Sequence, residues 1–551
     1  MGHRQYFKKY NPLTDPEVLE VVPVLCPNQG YVDPDNPEDP WVQVFPPYVP
    51  DPAIPPVATP LSEESVILIC STAIGGIVDF VLSTSGGTST YKIYGAGDVQ
   101  LATNTINSGS RFTYTFTKSM NGYETSDGEK IFKVVFTPTI SGQHITQARV
   151  YSTTNTYPII EAYINLPYAT AIDFNNAQFL KKCWLCDNMD ALNNANYKVF
   201  NNTYSLEELR MPLSMNAIAT LDTWFGYSNV AKIVLPASMT SLIKFSYTFQ
   251  YAKAKKIVFP NYVGSSMELK YLLYYTHFVE DISFPETWPT DVKFDSAITF
   301  CDSFKKLNLH SGCLATSIYY AVSNCPNFDN ETGELIINCK TTITAISYVA
   351  VNLPKLKKLR LKGSSANSVT SLSYIIYQSQ NIEEVELPES MNGLTGWTSA
   401  VLGGYSALKK LILPKSMTGL TGTLILLPSS CVNIEEITTC DNWGTNVLTF
   451  SNLGITYAKR IPLFDQPTLR INGLAIHSDG LPNGVLNYIE IAWSYITLNI
   501  YLSYQNLSTT EIDRIFTALP VLAGKTIDVR GNPGYAGCNK TIATAKGWVV
   551  P

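Results

Sequence analysis

A short phrase recurs along more than half of the chain, and it dictates the architecture. Leu206-Glu-Glu-Leu-Arg-Met-Pro212, Val230-Ala-Lys-Ile-Val-Leu-Pro236, Ala254-Lys-Lys-Ile-Val-Phe-Pro260 and Val279-Glu-Asp-Ile-Ser-Phe-Pro285 start 24, 24 and 25 residues apart. Copies return at Phe304, Leu356, Ile382, Leu408 and Ile434, and looser ones at Ala458-Lys-Arg-Ile461 and Leu486-Asn-Tyr-Ile-Glu-Ile491. The interval of 52 between Phe304 and Leu356 is two periods, with Gly333-Glu-Leu-Ile-Ile337 as a degenerate middle copy. A unit of this size cannot bury its own apolar side chains, whereas stacked units share one core, so the repeat predicts a solenoid. The repeat runs from Leu206 to about Leu498, within a solenoid domain placed at residues 171–500.

In each copy the first, fourth and sixth positions are apolar, while the second and third carry Lys-Lys, Glu-Glu or a close variant. The charged pair therefore marks a solvent-facing turn into a short strand. The proline that follows several copies lacks an N–H, so it ends the ladder and sets the strand length. A period in the twenties falls in the range of leucine-rich repeats. After Leu498 the pattern changes to a terminal cap over residues 501–551, which a solenoid needs to cover its last open coil. Ser508-Thr-Thr-Glu511 reads as a capping box opening a helix over 509–519, with Ile512, Ile515, Phe516 and Leu519 on one face. A strand over Thr526 to Arg530, a turn at Gly531-Asn-Pro-Gly534, a short helix over Asn539 to Lys546 and a closing strand at Trp548 to Val550 follow.

Ahead of the repeat, residues 62–170 read as an antiparallel β-sandwich. Alternating β-branched and aromatic runs (Ser65 to Cys70, Ile77 to Leu82, Thr90 to Tyr94, Arg111 to Thr117, Ile131 to Thr137, Ile145 to Tyr151) are separated by turn signals such as Ser85-Gly-Gly87 and Ser141-Gly142. Residues 1–61 are different again: the first 60 hold 14 of the 33 prolines, which excludes ladder or helix and predicts an extended arm. Tyr6, Phe7, Tyr10, Trp41, Phe45 and Tyr48 give that arm large rings suited to docking. The fold class is thus mainly β: arm, sandwich, repeat solenoid and a small α/β cap.

Composition limits the function classes. A net charge of −6, with only 15% charged residues, gives no basic face to displace counterions from nucleic acid. Val66 to Leu82 is too short and too interrupted to span a membrane, and the first ten residues lead into no apolar run of a secretory signal. We expect no membrane insertion and assembly in a reducing cytoplasm, the odd count of 11 cysteines arguing against a fully paired framework. Cys183-Trp-Leu-Cys186 lacks a second close pair for a metal, the five histidines match no ligand spacing, and Gly524-Lys-Thr526 lacks the earlier glycine of a phosphate loop. The Glu-Glu pairs exchange with Lys-Lys between copies, which catalytic carboxylates would not tolerate. We therefore expect no enzyme, no cofactor and no metal. Tyr271, Tyr274, Tyr275, Tyr319, Tyr320 and Tyr374 either fill the sheet flanks or build a sugar- or protein-binding face.

The phrase, with its Leu-Pro-x-Ser-Met ending at Leu235 to Met239, Leu387 to Met391 and Leu413 to Met417, resembles the BspA-like leucine-rich repeats of gut Bacteroidetes surface proteins and of their bacteriophages. The run Leu507 to Pro520, with Gly524 to Gly534 and Ala543 to Trp548, resembles the end of phage-encoded members, tailed crAss-like phages among them. The sandwich resembles the small domain before the repeats in such proteins, with Tyr94-Gly-Ala-Gly-Asp98 where those often carry Trp-Gly-Asp-Gly. The resemblance covers residues 75 to 551 and implies a structural virion protein: a head or tail fibre or decoration, assembled in the host cytoplasm, exposed on the particle and commonly homotrimeric. Its arm would bind capsid or tail proteins and its solenoid a host-surface glycan or protein. The alternative is a bacterial cell-surface adhesin.

Overall fold

The computed structural model describes residues 57, 61, 63–75, 77–150, 158–193, 198–289, 291–398, 401–402, 407–425, 433–438, 440–454, 469–477 and 486–551. Apart from residues 57 and 61, the arm, Tyr6, Phe7, Tyr10, Trp41, Phe45 and Tyr48 included, lies outside the described residues.

The first domain pairs two sheets. One contains β1 (Ser65–Ser71), β3 (Thr88–Tyr94), β4 (Gln100–Asn107), β6 (Tyr123–Glu124), β7 (Lys130–Pro138) and β9 (Ile159–Asn165), and the other β2 (Ile77–Thr84), β5 (Arg111–Thr115) and β8 (Ile145–Val150). Alternate residues of β1, β2 and β7 meet between the sheets, where Phe136 packs against Phe80 at 5.8 Å and against Phe112 at 5.1 Å. Three strands escaped the sequence reading. β6 is only two residues long; β4 is a largely exposed edge strand that sets only Ala102 and Ile106 against the core; and β9 is buried on both faces along nearly all its length, Glu161 included, so it shows no alternation.

The sheets are mixed, and the parallel pairs identify the junction. β10 (Ala171–Asp173) pairs in parallel with β8, and β11 (Lys182–Leu185) in parallel with β9 and with β12 (Glu208–Arg210). Both sandwich sheets thus run on into the coils that follow, and one hydrophobic core continues from Val66 to Trp548. Leu180-Lys-Lys-Cys-Trp-Leu185 is itself a copy of the phrase, with Leu180, Cys183 and Leu185 buried, so the repeat begins one period before Leu206. Cys183 in place of the usual aliphatic residue, and Cys186 in place of proline, hid it.

From here the chain is a parallel β-solenoid. Strands such as Lys232–Val234 and Lys256–Val258, or Lys358–Lys362, Glu384–Glu386 and Lys410–Ile412, stack in register, phrase upon phrase. The six proline-terminated strands are each three residues long, whereas Glu334–Cys339 and Lys358–Lys362, which lack the proline, extend to six and five. In the Leu-Pro-x-Ser-Met ending the serine bridges to the next coil (Ser390 to Ser416, for example) and the methionine is fully buried. The return of each coil is built of further short strands and tight turns. Among the described residues the α-helices are α1 (Thr509–Ala518) and α2 (Lys540–Thr544), both in the C-terminal cap.

The charged pairs have a sharper role than solvated turns. Both N–H groups of a pair donate to one carbonyl of the preceding coil: Lys357 and Lys358 to Gly333, Glu383 and Glu384 to Lys357, Lys409 and Lys410 to Glu383, Glu435 and Glu436 to Lys409. The signs alternate up this ladder, so Lys409 meets Glu383 at 2.9 Å and Lys410 meets Glu436 at 2.9 Å. In these coils each charge complements its neighbour, whereas lower in the solenoid Lys232 lies beside Lys256.

Candidate binding surface

Seven successive coils, from Thr223 and Tyr227 to Tyr374 and Gln378, make two sharp corners four residues apart, and both use a residue in the left-handed region. The first corner carries Thr223, Tyr247, Tyr271, Ser296, Tyr320, Tyr348 and Tyr374, with φ between 46° and 54°; the second carries Asn202, Tyr227, Tyr251, Tyr275, Phe300, Asn324, Asn352 and Gln378, with φ between 49° and 58°. Backbone bonds fix the register: Tyr247 N–H donates to Lys270, Tyr271 to Asp295 and Tyr348 to Ser373 on the first corner, and Tyr251 to Tyr274 and Tyr275 to Thr299 on the second. Identical corners therefore lie one coil apart, at the spacing of β-strands.

At that spacing the rings stack. On the second corner Tyr227, Tyr251, Tyr275 and Phe300 follow one another at centroid distances of 4.8, 5.0 and 4.6 Å with nearly parallel planes. On the first, Tyr247 stacks on Tyr271 at 4.5 Å, Tyr320 on Tyr348 at 4.5 Å and Tyr348 on Tyr374 at 5.1 Å. Tyr274 lies crosswise between the two columns, at 81° to Tyr271 and 83° to Tyr275. Tyr319 and Tyr377 take the same crosswise attitude to Tyr320 and Tyr374. Where the second column changes to asparagine, the side-chain amide of Asn352 donates to Asn324 at 3.1 Å. The six tyrosines singled out in the sequence all belong to this surface; Tyr227, Tyr247, Tyr251, Tyr348 and Tyr377 join them.

These rings flank the solenoid outside its core. The interior has its own stack, Phe174, Phe200, Phe225 and Phe249, all fully buried. Tyr227, Tyr319 and Tyr377 are exposed and the other corner tyrosines half-buried. Desolvation by burial, with a contribution from the neighbouring phenols, raises the Tyr251 and Tyr320 hydroxyls to about 12.

The other candidates resolve into structure. Cys183 is a free thiol buried in the core, and Cys186, just past the end of its strand, is a free thiol that donates to the Asn188 carbonyl at 3.2 Å. Cys301, Cys313, Cys325 and Cys339 are buried free thiols of neighbouring coils. Gly524 makes the turn into the short strand Ile527–Asp528. Among the described residues no three His, Cys, Asp or Glu side chains gather in a metal-binding geometry, and no helix is long and apolar enough to cross a membrane. No family model, curated protein or solved structure matches the chain.

Proposed function

We propose that this is a structural virion protein, a fibre or decoration of a tailed bacteriophage, which docks to capsid or tail through residues 1–61 and presents its solenoid to the host surface. In this reading it catalyses no reaction, and the tyrosine columns are the attachment face. The observation that carries it is the choice of residue at the corners. A left-handed conformation costs an ordinary L-residue about 1–2 kcal/mol, and asparagine bears it more cheaply than tyrosine. The chain places asparagine at several of these positions but tyrosine at most of them. A stacked aromatic pair returns about 0.5–1.5 kcal/mol, which roughly offsets the strain without exceeding it. Stability alone therefore does not select tyrosine, and strained residues gathered on one surface point to use.

The finer placement among BspA-like leucine-rich repeats rests on the Leu-Pro-x-Ser-Met phrase, and the phage assignment on the resemblance of the run Leu507 to Pro520. A homotrimer belongs to the same proposal. The test is adsorption. Purified full-length protein added in excess to host cells is expected to bind them and to slow phage adsorption. Cells that neither retain the protein nor lose adsorption would remove the attachment role.

A further inference from the structure

The tyrosine surface has two halves that differ in charge, and the difference specifies a ligand. In the half nearer the sandwich, the strands that carry the corners include Lys244, Glu268, Lys270, Lys293 and Asp295. In the second half, none of residues 319–324, 346–352 and 372–378 is charged. Three successive coils there offer phenol rings and the side chains of Asn324, Ser347, Asn352, Ser373 and Gln378 beside short aliphatic residues, while Ser323 is buried against Thr299.

From this we infer that the patch of Tyr319, Tyr320, Tyr348, Tyr374 and Tyr377 binds a neutral linear polysaccharide laid along the solenoid axis. The inference rests on the attachment reading for its biological setting, but its chemistry stands on the patch. The charged neighbour in register with Tyr319, Asp295, is itself a carboxylate, so nothing in the patch pairs with phosphate, sulfate or carboxylate groups. Protein partners are usually anchored by a side chain inserted in a pocket. This patch is instead an open row in which stacking at 4.5 and 5.1 Å covers the ring faces of Tyr320, Tyr348 and Tyr374 against one another. Such stacking leaves ring edges and hydroxyls at a regular repeat, with the crosswise rings of Tyr319 and Tyr377, 44% and 37% exposed, at either end. A phenol hydroxyl both donates and accepts, as does each hydroxyl of a sugar, so a repeating polyol is the complement of a repeating row of phenols. A row three coils long also engages several sugar units at once, which favours a polymer over a single unit.

The experiment is electrophoresis of the full chain through gels containing xylan, mannan or mixed-linkage β-glucan, and in parallel alginate or heparin, with neutral and acidic capsular polysaccharide purified from host cells. We expect retardation by at least one neutral polymer, no competition by its monosaccharide, and affinity about tenfold or more lower in the triple variant Tyr320→Phe, Tyr348→Phe, Tyr374→Phe, which loses three hydroxyls. Phe300 already occupies a stacked corner, so the variant should fold, and unchanged circular dichroism would verify that. Retardation by acidic polymers alone, by none of the polymers, or equally in wild type and variant overturns the proposal. A cell-binding arm separates the two readings. Binding that survives periodate but not proteinase overturns the glycan while leaving attachment intact, whereas retardation by a neutral polymer without binding to host cells supports the glycan and removes the attachment role.

Discussion

A tyrosine at φ near 50° sets side-chain contact against backbone strain, and the two terms are of similar size. The columns should betray themselves in an alkaline titration. Because the Tyr251 and Tyr320 phenols lie near 12 when folded and near 10 when unfolded, the folded state holds extra protons between those values. Stability is thus complete below pH 10 and falls as pH rises towards 12, with ultraviolet titration showing a late-ionising class of tyrosines that unfolding abolishes. A single class at the ordinary phenol value would contradict the stacking. Asp173 makes the opposite end of the pH range informative. Burial on β10 raises its carboxyl to about 6, against the lowering influence of the Asn175 N–H and of Arg149. The folded state therefore binds the extra proton between pH about 4 and 6, and stability falls as pH rises through that window. Replacing it, Asp173→Asn, should remove this slope and raise stability at pH 7 by about 1–2 kcal/mol, allowing for partial exposure. Denaturant melts at pH 4, 5, 6 and 7 would measure both effects.

Elements were legible in the sequence in proportion to how strongly burial patterns them. The phrase strands declared themselves through three inward positions and a charged pair, and α1 through its serine cap and apolar face. The corners did not, because tyrosine in the left-handed region runs against the preferences by which turns are read, and only the stacking between coils makes it tenable. The α1 cap shows a subtler departure. Ser508 accepts the Glu511 N–H at 3.2 Å as a capping box requires, but the Glu511 carboxylate turns to the Ile489 N–H of the preceding coil and to Arg514. Ser508→Ala should accordingly cost about 1 kcal/mol. Glu511→Ala should cost more, about 2–3 kcal/mol, because it strands the buried Ile489 N–H and removes a charged partner from Arg514, which keeps Glu490. Equal losses in thermal melts would mean that Glu511 acts only within the helix. The ion-pair ladder is a lesser contributor, since solvent screens its partly exposed members.

At the scale of the whole molecule, one core runs from the sandwich through the coils to the cap, so the two ends protect what lies between. The cap closes the last coil through parallel pairing of Ile500–Tyr501 with Ile527–Asp528 and through Lys546, which donates to the Leu519 carbonyl at 2.8 Å where α1 ends. Deleting residues 507–551 uncovers Ile500 and Leu502 and should turn a dispersed protein into one that self-associates. Gel filtration with light scattering would register this, and an unchanged profile would show the cap to be dispensable. Its role turns on where such a molecule is mounted, which mass spectrometry of gradient-purified phage particles measures directly. Peptides of this chain, those of residues 1–61 included, are expected at a constant ratio to the major capsid protein. Particles free of the chain, with the same peptides recovered from the bacterial outer-membrane fraction, would contradict it and leave a cell-surface adhesin in its place.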